Sequence, residues 1–159
     1  MKHASIIVAG LAAALAVAVG SASATTHAPG RSATVGAAAS SLGRILVDSG
    51  GRTLYRFEKD TKGHSTCSGA CAGYWPPLLT TAEPSARGAV KQSLLGITRR
   101  TDGTRQVTYA GHPLYRFVQD TKRGQTNGQG LKLSGAEWYV LSPAGTKIDR
   151  GNGAAASGY

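Results

Sequence analysis

The chain has 159 residues, a formal net charge of +10, 22 glycines and two cysteines. That length suits one ordinary domain or two very small ones. Beyond the first 24 residues no apolar run approaches the roughly 18 residues that a spanning helix needs, which excludes one there.

Taken in chain order, the first 24 residues read as a signal peptide. Met1-Lys2-His3 is a short positive start, residues 4–20 are apolar and uncharged, and Ala22-Ser23-Ala24 supplies the small-residue cleavage pattern. Cleavage leaves 135 residues at +9, because Lys2 leaves with the leader. No cysteine follows the apolar run, so the expected product is exported, soluble and without a lipidated N-terminus. Residues 25–41, rich in Ala, Ser, Gly and Thr, read as a flexible leader, and residues 150–159 as a flexible tail. Between them residues 42–149 hold 30 Val, Ile, Leu, Phe, Trp, Tyr and Cys positions and nine of the ten aromatics, enough for one core.

Strand signals fill that span. Residues 44–47 and 54–57 flank Ser49-Gly50-Gly51, where glycine supplies the positive φ of a tight hairpin. Residues 95–100 and 104–109 flank Thr101-Asp102-Gly103, and Tyr109 reaches Leu114 through Ala110-Gly111-His112-Pro113. Residues 138–141 and 147–148 flank Pro143-Ala144-Gly145. The span also repeats itself. GRTLYRFEKDTK at 51–62 aligns with GHPLYRFVQDTK at 111–122, identical at eight of twelve positions with an offset of 60, and Trp75 and Trp138 fall at an offset of 63. The expected fold is all-β, a small antiparallel sandwich or partly open barrel built from two pseudo-symmetric repeats, about 42–80 and 95–149.

Along each motif a strand places Tyr55 and Phe57, or Tyr115 and Phe117, on one face, with Leu54 and Arg56, or Leu114 and Arg116, on the other. Asp60 and Asp120 follow at the strand ends, in Asp-Thr-Lys. Such an Asp can accept from backbone amides two residues on and fix the turn, or accept from a motif tyrosine of either repeat. The structural reading packs Leu54, Tyr55, Phe57, Trp75, Leu114, Tyr115, Phe117 and Trp138 into an inter-repeat core with Asp60 and Asp120 closing turns. The functional reading makes each Tyr/Asp pair a binding site, or joins Asp60 and Asp120 as the carboxylate pair of a hydrolase. Duplication favours the structural one, since turns recur in a small domain more readily than active sites. No nucleophile elbow, zincin or phosphate-loop motif is present, so no catalytic residues and no cofactor are expected.

Cys67 and Cys71 are spaced C-x₃-C, and in an exported chain such neighbours pair. On one helical turn their Cα atoms lie about 6 Å apart, within disulfide range. The bridge would hold the loop before Trp75-Pro76-Pro77. With His64 the pattern becomes H-x₂-C-x₃-C, which also suits copper(I) or zinc, or a thiol-redox pair. The excess of base, including Arg99-Arg100, Arg105 and Lys122-Arg123, attracts polyanions such as cell-wall or envelope polymers. A merely solvated basic surface has the same composition. No motif for sequence-specific nucleic-acid binding accompanies it.

The doubled Leu-Tyr-x-Phe-x-x-Asp, with Ser65, Cys67, Gly69, Cys71, Ala72 and Trp75-Pro76-Pro77-Leu78 after the first copy, resembles the bacterial secreted-repeat family of unknown function. Its members are described as predicted lipoproteins with a Yx(F/W/Y)xxD motif. The resemblance places that motif on Tyr55, Phe57 and Asp60 and on Tyr115, Phe117 and Asp120. It implies a secreted or envelope-associated protein, with some relatives associated with hydrocarbon (alkane) catabolism, and no established activity. The expectation is an exported, non-enzymatic binding or structural module, with the metal or thiol carrier through His64, Cys67 and Cys71 as the alternative.

Overall fold

The computed structural model describes residues 31–149. The signal peptide and the tail read from the sequence lie outside those residues. Among the described residues the fold is all-β, with three small sheets, one short α-helix and no closed barrel.

The first strand, β1 (Thr34–Ser40), lies where a flexible leader was expected. It pairs antiparallel with β2 (Gly43–Asp48), and Val35 at its start is fully buried. Its Ala-Gly-Ser composition hid it. Small residues carry weak strand propensity, and here six consecutive cross-strand partners supply what propensity does not. The other edge of β1 takes β4 (Ser85–Ala86) in parallel.

The expected hairpin from β2 into the first motif is only partly formed. Asp48 closes the turn, its Oδ1 accepting from Gly50 N at 2.9 Å and Arg52 N at 3.0 Å. Leu54 N still donates to Leu46 O at 3.0 Å, but β3 (Tyr55–Phe57) then leaves β2 and pairs with β9 (Ala136–Val140), in the register Tyr55↔Val140 and Phe57↔Trp138. β8 (Lys132–Leu133) extends that sheet. The hairpin of β5 (Leu95–Arg99) with β6 (Arg105–Tyr109) forms as the sequence indicates, and β6 also pairs with β7 (His112–Pro113), two residues read from the sequence as part of the connection to Leu114. The turn between β6 and β7 uses positive φ at both Ala110 and Gly111, the two-residue geometry that matches strand twist.

The second motif mirrors the first. Arg116 N donates to Pro76 O and Leu78 N to Leu114 O, each at 2.9 Å. Each motif strand is thus hydrogen-bonded to the tryptophan segment of the other repeat. The motifs themselves meet at their tyrosines, with Tyr55 N donating to Tyr115 O at 2.8 Å and Tyr115 N to Tyr55 O at 3.0 Å. Reciprocal bonds between equivalent residues mark the pseudo-twofold axis.

This layer separates two cores, as strand alternation requires. Leu54, Leu114, Leu46, Val107 and Tyr109 pack on one side. Tyr55, Phe57, Tyr115, Phe117, Trp75 and Trp138 pack on the other. Leu54 and Leu114 therefore belong to the aliphatic core rather than to the aromatic one. The helix α1 (Ala70–Tyr74) presents Trp75 to the aromatic core. Among the described residues no helix is long and apolar enough to cross a membrane.

One glycine tests the packing. A Cβ on Gly128 would lie 2.6 Å from the Trp75 ring and 3.0 Å from the Tyr55 ring. Both rings are fully buried and have nowhere to go, so Gly128→Ala is expected to cost about 1–3 kcal/mol. Thermal unfolding followed by circular dichroism should show a clear fall in Tm, and an unchanged Tm would contradict the packing.

Candidate functional site

The conspicuous constellation is the six-ring centre of the two motifs. Phe57 stacks on Trp138 with centroids 4.1 Å apart, Trp138 on Trp75 at 3.9 Å with planes 1° apart, and Trp75 on Phe117 at 4.3 Å. The ladder alternates between repeats at every step. Tyr55 meets the Trp75 face edge-on at 5.3 Å, and Tyr115 meets Trp138 likewise at 5.1 Å. Stacked and edge-on pairs each contribute about 0.5–1.5 kcal/mol beyond their buried area. All six rings are buried.

The motif carboxylates cross the axis. Tyr55 Oη donates to Asp120 Oδ2 at 2.5 Å, and Tyr115 Oη donates to Asp60 Oδ2 at 2.6 Å. The remaining oxygens hold loops. Asp60 Oδ1 accepts from Thr66 N at 2.7 Å and from the Thr66 hydroxyl at 2.8 Å; Asp120 Oδ1 accepts from Asn127 N at 2.9 Å. These amides are six and seven residues on, so Asp60 and Asp120 close loops rather than the two-residue turns expected of them. The turn-fixing role falls to Asp48 and to Asp102, which accepts from Thr104 N at 2.9 Å.

Burial first, and then the facing carboxylate, pushes the Tyr55 phenol far above its usual range; Tyr115 is raised by burial and Asp60 in the same way. Burial also raises Asp120. Both phenols are held as neutral donors, each to a buried carboxylate.

Around Tyr115 the network runs further. Its hydroxyl lies 2.7 Å from Ser65 Oγ, which accepts from Arg100 Nη1 at 2.7 Å. Arg100 also donates to Gln106 Oε1 at 2.8 Å and to Cys67 O at 2.7 Å. Its side chain is 5% exposed. The Arg99-Arg100 pair read as a surface cluster is therefore half internal. Of the arginines opposite the aromatics, Arg116 binds Asp48 at 2.6 Å, and Arg56 pairs with Glu58 at 3.0 Å and contacts His112. The buried roles of Ser65, Arg100, Gln106 and Gly128 escaped sequence reasoning. The one available clue was that Ser65-x-Cys67 and Asn127-Gly128 follow the two aspartates at nearly equal distances.

Cys67 and Cys71 form a disulfide across 5.3 Å between Cα atoms. Joined sulfurs do not serve as thiolate ligands, and the His64 side chain is exposed. The copper or zinc set of His64, Cys67 and Cys71 is therefore not assembled, and among the described residues no other cluster of three His, Cys, Asp or Glu takes its place.

A family model for a secreted repeat of unknown function matches residues 36–79 and again residues 96–142. The chain belongs to that family. No curated protein and no solved structure matches it. In this secreted repeat protein the two matches begin 60 residues apart, the offset of the motifs themselves. The first opens inside β1, which places that strand within the repeat rather than before it. Cys67 and Cys71 fall in the first match, and the second has no cysteine.

Two outcomes follow for the crossed pairs. Asp60→Ala or Asp120→Ala, each leaving a buried phenol and a loop amide unmet, should destabilise by about 1–3 kcal/mol in denaturant titration. On the alkaline side, tyrosines of the unfolded chain ionise near 10.0 while Tyr55 and Tyr115 in the fold ionise above it. The unfolded state then sheds protons first, so stability present below pH 10 falls as pH rises beyond it. Denaturation midpoints from pH 8 to 12 should show this, and a profile just as steep in the Tyr55→Phe, Tyr115→Phe double variant would contradict it.

Proposed function

We propose that this secreted repeat protein is a non-catalytic module of the extracellular space or cell envelope that associates with anionic polymers through its basic surface. The observation that carries the reading is how its charges are partnered. All eight acidic residues lie among the described ones, and each is engaged internally. Asp48, Glu58, Glu83, Asp102, Glu137 and Asp149 sit in ion pairs, and Asp60 and Asp120 hold the phenols. Arg31, Arg44, Lys59, Lys62, Arg87, Lys91, Arg99, Lys122 and Arg123 are exposed and have no acidic partner among the described residues. A surface with this surplus gathers polyanions by long-range attraction, without a shaped pocket.

The motif carboxylates support the non-catalytic part of the reading. A glycosidase pair needs one acid and one base facing a shared cleft. Asp60 and Asp120 are 7% and 1% exposed, and each accepts from a phenol and a loop amide. Hydrolysis by this pair would require breaking the bonds that join the repeats.

Retention on purified cell wall, or on an immobilised polyphosphate, tests the proposal. Binding should be firm at low salt and lost by about 0.5–1 M salt, where the screening length drops to a few ångströms. The quadruple variant Lys59→Glu, Lys62→Glu, Lys122→Glu, Arg123→Glu should elute earlier with an unchanged Tm. Retention indifferent to both changes would overturn the reading.

A further inference from the structure

The two motif arginines are equivalent in sequence and unequal in their surroundings. In the first repeat Arg56 is closed off, with its Nε 3.0 Å from Glu58 Oε1 and its Nη1 3.2 Å from His112 Nε2. By the offset of 60, the residues that match Glu58 and His112 for Arg116 are Val118 and Arg52. One carries no charge and the other repeats the charge of Arg116. The acid that Arg116 meets comes from elsewhere. Its Nε donates to Asp48 Oδ2 at 2.6 Å, while Asp48 Oδ1 is taken by the amides of Gly50 and Arg52. Nη1 and Nη2 of Arg116 are left with no acceptor among the described residues, on a side chain that is 29% exposed.

Arg116 lines a groove of about 380 Å³, within the roughly 300–1,000 Å³ of small-molecule sites. The groove lies between the entry to β1, the turn at Asp48 and Ser49, and Leu78 with Leu79. Arg31 adds a second guanidinium, exposed and without an acidic partner among the described residues. Ser49 adds an exposed hydroxyl with no partner among them. Asp48 is the acid in the lining, and its side chain is 6% exposed, with both oxygens held by the bonds above. Arg116 neutralises it, so Arg31 leaves the groove net positive. A carboxylate gripping the Nε edge also fixes the plane of the Arg116 guanidinium. A fork oriented in this way matches two oxygens of a phosphate.

We infer that Arg116, Arg31 and Ser49 seat one phosphodiester group of an anionic polymer in this groove. Arg116 donates through its Nη pair to the two unesterified oxygens, and Arg31 and Ser49 donate to the same group from the other segments of the lining. Donors from three separate segments suit a tetrahedral group better than a planar carboxylate. The inference rests on the reading of the basic surface as a binder of polyanions, and it names the chemistry that surface holds: long-range attraction gathers the polymer, and the seat reads phosphate.

The isotopically labelled full chain is titrated at low salt with glycerophosphoglycerol, inorganic phosphate or acetate, and followed through its amide and arginine side-chain resonances. The diester should shift the Ser49 amide and the Arg116 Nε–Hε signal along saturable curves, with acetate at least about tenfold weaker. Arg116→Lys, which keeps a cation opposite Asp48 but loses the fork, should weaken diester binding about tenfold, and Ser49→Ala about threefold. Neither variant changes net charge, so a surface acting through charge alone does not register them. Acetate binding as tightly as the diester, saturation by inorganic phosphate but not by the diester, or diester binding indifferent to both variants would overturn the seat, even where retention on polyphosphate at low salt persists. Saturable diester binding that responds to both variants, in a protein whose polyphosphate retention ignores salt, would overturn the reading of the basic surface and leave the seat standing.

Discussion

Two indole rings lying flat on each other, their centroids 3.9 Å apart and their planes nearly parallel, set the terms for the rest of this molecule. One comes from each repeat, so the repeats cannot separate without parting them. Flanking each indole with the phenylalanine of the opposite motif extends the contact into a ladder that no single repeat supplies. Burying it also buries the tyrosines, and a buried hydroxyl must be paired. The carboxylate within reach belongs to the other repeat, and the crossed Tyr–Asp bonds follow from that geometry. The motif's spacing of tyrosine, aromatic and aspartate is thus a packing rule, with the acid placed to meet a phenol arriving from across the axis.

Much of this was legible in the residues. Alternation put Tyr and Phe on one face of each motif and Leu and Arg on the other, and the two cores obey it. The offset of 60 announced a duplication, and the glycine-bearing turns at Gly103 and Gly111 located the central hairpins. The short spacing of Cys67 and Cys71 announced their bridge. What stayed hidden was long-range. β1 has almost no apolar content beyond Val35, so its pairing, not its composition, makes it a strand. The exchange of partners between the repeats leaves no local signature, because a strand's sequence does not record which edge it joins. Arg100 looked like surface charge because burial of its guanidinium depends on Gln106 of the facing strand and on two acceptors from a distant segment, Ser65 and the Cys67 carbonyl.

The same economy shapes the exterior. With so few acids, and all of them committed to internal bonds, the outer surface is basic by default. The apolar groove beside α1 is the exception, a place where the two repeats leave rings and aliphatic carbons facing water.

The exchange of strands bears on ancestry and assembly. A polypeptide carrying one copy of the motif has a motif edge and a tryptophan edge that cannot satisfy each other, since each requires its counterpart from another copy. Two such polypeptides would complete one another about a true dyad, as a homodimer. Joining the copies end to end turns that intermolecular marriage into an intramolecular one, independent of concentration, and releases each half to diverge. The lone cysteine pair in the first copy is a trait that a symmetric dimer would have had to carry twice.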